Sequence, residues 1–223
     1  MEKLAINGGK PVRTVPLPAR KSFSEHEKKA AIRVLERVTT TGSGLDRYGG
    51  VETDAYEKEF AVYFGTKFAT AVSSGTAAIH SAIAALNLEP GSEIITTPIT
   101  DNGTVMPMIF QQCIPVFADV DYHSLNISPE SIEKNLTNRT KAIVVVHLAG
   151  QPADMDSIIR IAKQHKLYII EDCAQAHGAR YNNRFVGSIG DMGCFSMMSS
   201  KHTTSGGQGG MVITNNENFY WSA

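Results

Sequence analysis

From Phe68 onward, short apolar runs alternate with stretches of helical spacing. That alternation constrains the fold more than any other feature of the chain. The spacing predicts strands over 68–72, 93–97, 114–120, 141–147 and 167–171. Between them it predicts helices over 76–86, 101–111, 129–135 and 154–165, with Gly103 and Pro107 weakening the second. Continuously apolar strands are strands covered on both faces. A βαβα order of such strands builds an α/β architecture, a mostly parallel sheet with helices on both faces. Late strands are expected around Phe195-Ser196-Met197 and Met211-Val212-Ile213-Thr214, in a region rich in Gly and Ser.

The front of the chain reads differently. Residues 1–20 carry Pro11, Pro16 and Pro18 with little periodicity and read as an extended N-terminal arm; residues 21–223 are expected to form one large domain. Ser24 with Glu27 is a capping box. It opens an amphipathic helix through about Val38, with Ala31, Ile32, Val34, Leu35 and Val38 on its apolar side. A second helix over 52–63 stops at Gly65. At the other end, Thr214 to Phe219 starts a helix with few residues after it, so a truncated chain is expected.

Composition excludes several classes. With 42% hydrophobic and 19% charged residues, the chain is that of a globular protein. Its 21 basic and 22 acidic residues leave a net charge of -1, so no global field draws it to nucleic acid or anionic lipid. No apolar run reaches the ~18 residues of a membrane span. The first seven residues show no secretory signal. With Cys113, Cys173 and Cys194 widely spaced, the expectation is a cytoplasmic protein with free thiols. There is no HExxH and no Cys/His ligand spacing, so no metal site is expected. Walker A, GxGxxG and GxSxG signatures are also missing.

In an open parallel sheet, ligands bind beyond the carboxyl ends of the strands. After the 68–72 strand comes Ser73-Ser74-Gly75-Thr76, opening a helix; glycine, hydroxyls and free N–H groups together suit a phosphate. Alone, the same residues also suit a plain capped turn. After the 167–171 strand comes Glu171-Asp172-Cys173-Ala174-Gln175-Ala176-His177. A carboxylate there is costly to bury without a cationic partner. After the Phe195 strand, Lys201 lies among hydroxyls and glycines. His147, at another strand end, reads as a satisfied core or rim histidine.

The three segments explain one another if the ligand is pyridoxal 5'-phosphate. Its phosphate needs the Gly75-Thr76 helix start, its pyridine nitrogen a carboxylate such as Asp172, and its aldehyde a lysine such as Lys201.

These residues carry a resemblance. Ser73-Ser74-Gly75-Thr76-Ala77, Val116-Phe117-Ala118-Asp119-Val120-Asp121, Glu171-Asp172-Cys173-Ala174-Gln175-Ala176-His177-Gly178, and Phe195-Ser196 with Lys201 and Gly209-Gly210 resemble the DegT/DnrJ/StrS sugar aminotransferase family. The likeness runs from Leu4 to Asn215. It implies the type I aminotransferase fold, here as the large pyridoxal-phosphate-binding domain, incomplete at its end and without the small C-terminal domain. It implies that Lys201 holds the cofactor and moves protons. Asp172 would face the pyridine nitrogen and Gln175 the ring hydroxyl, and Gly75, Thr76 and Ser196 would bind the phosphate. The implied reaction moves an amino group from glutamate or glutamine to a keto group of a nucleotide-linked sugar or cyclitol. The implied partner is a second subunit, since members complete each site as homodimers.

Two departures bear on chemistry. Members often stack an aromatic side chain on the ring after a Pro-x-Thr; here Asp101 and Asn102 follow Thr97-Pro98-Ile99-Thr100. Dehydratases of the family carry histidine in place of the lysine; here Lys201 is present, beside His202, which favours transamination. The alternatives are a dehydrating or aromatising enzyme with the same cofactor, or a non-catalytic remnant of the fold. Substrate choice is expected to depend on loops such as 41–50.

Overall fold

The computed structural model describes residues 3–19, 21–42 and 49–223. Most of the 41–50 loop, residues 43–48, therefore lies outside the described residues. The chain forms two compact units, 1–45 and 46–223.

The first unit holds the proline-bearing arm and helix α1 (Glu25–Thr41). The capping box forms as expected: Ser24 Oγ accepts from the His26 N–H at 3.1 Å, and the Ser24 N–H donates to Glu27 Oε2 at 2.6 Å. Gly42, at φ 68°, ends the helix in the left-handed conformation that glycine adopts without a Cβ penalty. The expected apolar stripe is present but not covered. No described residue of α1 is buried, and Ile32 and Leu35 are exposed.

The second unit begins with α2 (Val51–Phe64), which Gly65 ends in the left-handed region. The alternation then unfolds as β1 (Phe68–Val72), α3 (Gly75–Ala85), β2 (Glu93–Thr96), α4 (Asn102–Phe110), β3 (Ile114–Phe117), α5 (Pro129–Lys134), β4 (Thr140–Val146), α6 (Met155–His165) and β5 (Tyr168–Asp172). A small hairpin follows, β6 (Arg180–Tyr181) with β7 (Arg184–Phe185), and then β8 (Met192–Ser196), β9 (Gly210–Thr214) and α7 (Glu217–Ser222). The strand expected to run to residue 120 stops at Phe117. The chain turns away there because the Asp119 N–H donates to Ser131 Oγ and the Val120 N–H to Asp119 Oδ1. Pro107 sits inside α4, which forms nonetheless with Asp101 as its cap.

Seven strands make one sheet in the order β1-β9-β8-β5-β4-β2-β3. All neighbours are parallel except β9, which runs antiparallel to both β1 and β8. The side-chain period of two sorts the strands onto two sides. Ala142, Val144, Ile94, Ile170 and Cys194 pack with α3 and α4. Ile143, Val145, Ile95 and Ile169 pack with α5 and α6. Further along the second side, α2 lays Phe60 and Phe64 on Phe195, Met211 and Ile213. Both faces of the central strands are therefore covered, as their continuous apolar sequence requires.

Glycines let the strand ends crowd together. A Cβ at residue 75 would lie 2.6 Å from Ser196 Cβ, and one at residue 210 would lie 2.2 Å from the Ser74 carbonyl oxygen. The ends of β1, β8 and β9 thus meet at a distance that only glycine permits.

Candidate active site

A cavity of ≈ 120 Å³ opens at the meeting point of these ends. Gly75 and Thr76 line it from the start of α3, Asp172 from the end of β5, Ser196 from the end of β8, and Lys201 from the loop beyond. Five of the six residues singled out from the sequence are thus gathered around one cavity. The sixth, Gln175, is not among the lining residues. Its Oε1 accepts the Ala149 N–H at 2.8 Å, which orients the side chain on the neighbouring loop.

The helix start offers donors that suit an anion. Ser74 caps α3 by accepting the Ala77 N–H at 3.0 Å, leaving other first-turn N–H groups without helical acceptors. Thr76 and Ser196 bring hydroxyls to the same wall. The close packing of Gly75 on Ser196 sets the two next to each other.

Asp172 is 5% exposed and Glu171 is fully buried, on opposite sides of β5. Asp172 Oδ2 accepts the Thr104 hydroxyl at 2.7 Å, and Oδ1 accepts the Ala174 N–H at 3.0 Å. Burial raises its pKa above the ordinary carboxylate value, against the hydrogen bonds of Thr104 and Ala174 and the positive charge of Lys201. A buried carboxylate of this kind gains from a cation placed against it. A protonated pyridine nitrogen is such a cation, so the residues present fit the cofactor.

Glu171 serves the other face. Its Oε2 accepts from His147 Nε2 at 2.9 Å and from the Gly187 N–H at 2.8 Å; its Oε1 accepts from the N–H groups of Ile189 and Gly190 at 2.8 and 2.6 Å. Burial alone would raise its pKa; these donors outweigh burial and hold it below the ordinary range. His147 Nδ1 accepts the Ala153 N–H, so Nε2 carries the proton. His147 is thus a satisfied core histidine, as its position in the sequence suggests. His147, Glu171 and Cys173 bring ligand atoms within 4.8 Å of one another, but the histidine and carboxylate atoms are already engaged in these bonds.

Sequence reasoning missed Thr104, Gly103 and Gln208 in the cavity wall. It singled out Asp101 only as a departure from a family pattern; Asp101 lines the cavity and caps α4 through the Gly103 N–H at 2.8 Å. A larger cavity of ≈ 360 Å³ lies under α2, walled by Tyr56, Phe60, Tyr63, Phe64, His177 and His202. It lacks the lysine, the carboxylate at β5 and the helix start that line the smaller one.

A sheet of this topology with this site at its strand ends defines the type I fold of pyridoxal-phosphate aminotransferases, and the comparisons agree. An aminotransferase of Psychrobacter cryohalolentis of known structure superposes with a TM-score of 0.86 at 44% identity, covering 92% of this chain and 51% of that one. Residues 25–222 match the model of the DegT/DnrJ/EryC1/StrS aminotransferase family, and the chain belongs to that family. It is 37% identical over 222 residues to a putative L-glutamine:3-amino-2,3-dideoxy-scyllo-inosose aminotransferase of Micromonospora echinospora, covering 100% of this chain and 52% of that protein. It is 41% identical over 165 residues to the GDP-perosamine synthase of Escherichia coli O157:H7, covering 74% and 45%. The chain spans about half the length of the curated relatives it matches. Among the described residues, no helix is long and apolar enough to cross a membrane.

Proposed function

We propose that the chain is the cofactor-binding part of a pyridoxal-phosphate aminotransferase. The enzyme would move an amino group from glutamate or glutamine to a keto group of a nucleotide-linked sugar or cyclitol. The observation that carries this reading is the joint presence of Lys201, Asp172 and the Gly75-Thr76 helix start around one cavity. The relatives named for a cyclitol and for a GDP-sugar product support the acceptor class.

Each residue has a task that its chemistry suits. The N–H groups at the start of α3, with the hydroxyls of Thr76 and Ser196, hold the phosphate. Asp172 would pair with the pyridine nitrogen and favour its protonated form. When bound, the cofactor supplies an electron sink for the carbanion of the amino donor. Lys201 would hold the cofactor through its amine; once the amino donor displaces it, the freed amine would be the base that takes and returns the α proton. Gln175, oriented by Ala149, is assigned to the ring hydroxyl. A lysine at position 201, where the dehydratases of the family carry histidine, favours transamination over dehydration. A homodimer would complete the site from a second subunit. Three buried free cysteines suit a reducing, cytoplasmic setting.

The test is an absorption titration of the chain with pyridoxal phosphate, for wild type and Lys201→Ala, followed by borohydride and an amino-donor screen. A yellow band that borohydride fixes covalently at Lys201 is expected in the wild type alone. A Lys201→Ala variant with the same fixed band would overturn the assignment.

A further inference from the structure

Asp172 is held by two partners of different kinds. Oδ1 faces the backbone N–H of Ala174, which can only donate. Oδ2 faces the hydroxyl of Thr104, which can donate or accept. Behind it, Thr104 Oγ1 lies 2.7 Å from Thr100 Oγ1. Thr104 is buried at 1% exposure, so its hydroxyl has no bulk water to turn to. Its placement depends on α4 lying hard against α3. A Cβ at residue 103 would come 2.4 Å from Thr76 Oγ1, and Asp101 fixes the same turn through its cap.

We propose that Thr104, backed by Thr100, is a positioning residue for Asp172. It fixes the plane of the carboxyl group toward the ligand, and it is the hydrogen-bond partner that serves both charge states. With Asp172 ionised, the chain runs one way: Thr100 donates to Thr104, and Thr104 donates to Oδ2. With Asp172 protonated on Oδ2, both hydroxyls rotate, so that Oδ2 donates to Thr104 and Thr104 donates to Thr100. No buried group loses its partner in either state, and such a loss is the main cost of changing a buried charge. A base held against Asp172 would take up the proton that Oδ2 gives up, and the two hydroxyls would then return to the arrangement in which Thr104 donates to the carboxylate. The inference rests on the reading of Asp172 as the partner of the pyridine nitrogen. Among the described residues, the other ionisable groups around Asp172 are Lys201 and Asp101 in the cavity, His147 just after β4, Glu171 and Cys173 on its own segment, and Cys194 on β8.

The experiment titrates pyridoxal phosphate into wild type, Thr104→Val, Thr104→Ser and Thr100→Val. In the cofactor-free proteins it follows the Asp172 carboxyl carbon by NMR against pH. Thr104→Val is expected to weaken cofactor binding about tenfold to a hundredfold, the usual worth of a hydrogen bond to a charged group. It should also move the Asp172 titration upward, because the bond from Thr104 to the carboxylate is charge-assisted and stronger than the bond from the protonated carboxyl to Thr104, so the anion loses more. Thr104→Ser should restore both to near wild type, which a role in packing alone would not do. Thr100→Val, which leaves Thr104 in place and tests the chain even if Thr104→Val does not fold, should show a smaller loss of a few-fold. Wild-type affinity and an unmoved Asp172 titration in Thr104→Val, or in Thr100→Val should the former not fold, overturn the proposal. If the wild type itself forms no borohydride-fixed band, the functional reading falls and takes this inference with it. A wild type that forms the band beside an unchanged Thr104→Val overturns the inference alone.

Discussion

At the carboxyl end of β5 two neighbouring carboxylates face opposite sides of the sheet and have opposite fates. Glu171 is saturated. Four donors surround its two oxygens, and its pKa is held low in spite of complete burial. Asp172 has one protein donor on each oxygen, and its pKa is raised. The difference teaches where a fold spends its polar groups. On the α6 side the carboxylate ties the 187–190 loop to the sheet and leaves nothing over for a ligand. On the α3 side it is kept short of partners beside a cavity, and that deficit is what a cationic ligand repays.

The comparison breaks first at Glu171. All four of its partners donate, so neither oxygen can be replaced by an amide NH₂. Glu171→Gln should therefore cost about 2–6 kcal/mol of unfolding free energy, measured by denaturant titration, because two buried donors are left facing the NH₂ at about 1–3 kcal/mol each. A loss below about 1 kcal/mol would mean that the network is not what holds the loop. Asp172→Asn is the counterpart and should reverse the pattern. The cofactor-free protein should keep its stability, because a carboxylate with a raised pKa is costly to bury. Cofactor affinity, read by titration, should fall by at least about thirtyfold, or ~2 kcal/mol. A variant that unfolds yet binds normally when folded would make Asp172 a second Glu171.

A smaller effect sharpens the geometry of the cavity wall. Gly75→Ala places a methyl group against Ser196, whose backbone cannot retreat because Ser196 pairs with Gly210 in the sheet. The expected cost is about 1–3 kcal/mol in thermal unfolding, the range for overpacking. Cofactor affinity should fall too, as α3 is pushed off the strand ends. Gly75 also marks how far the sequence could be read. Its place in a Ser-Gly-Thr turn after a strand was legible, because local chemistry defines such turns. Its fit against Ser196 was not, because nothing in either segment encodes the distance between them. The same holds elsewhere. The parallel strands were legible from continuous apolar runs such as Ile143 to Val146, whereas β9 carries the same kind of run and lies antiparallel. Thr104 left no signal at all, since a threonine in a helix reads the same whether its hydroxyl meets water or a buried aspartate. The stripe on α1 was legible and still not covered, because periodicity records which face is apolar and not what packs against it.

His177 tests the larger, aromatic cavity against the site. Both of its ring nitrogens are buried without a well-formed hydrogen bond, although the Ser196 backbone lies near the ring. Desolvation, followed by the charges of His202 and Lys201, lowers its pKa to about 4. The unfolded chain, with an ordinary histidine near 6.5, binds a proton in the window between these values, and the folded chain does not. Stability from this group is therefore complete above about pH 6.5 and is lost as the pH falls toward 4. Carboxyls such as Asp191, whose pKa is raised by burial, act in the opposite sense, so the informative quantity is the difference between wild type and His177→Phe. Phenylalanine suits the ring contact with Phe195 and removes the unpaired nitrogens. At neutral pH the variant should match wild type within about 0.5 kcal/mol, the smallest effect of the set. Between pH 6.5 and 4 its stability should fall less steeply than that of wild type. Parallel curves through that window would mean that His177 finds a partner in the folded protein, and the aromatic cavity would then be the place to look for it.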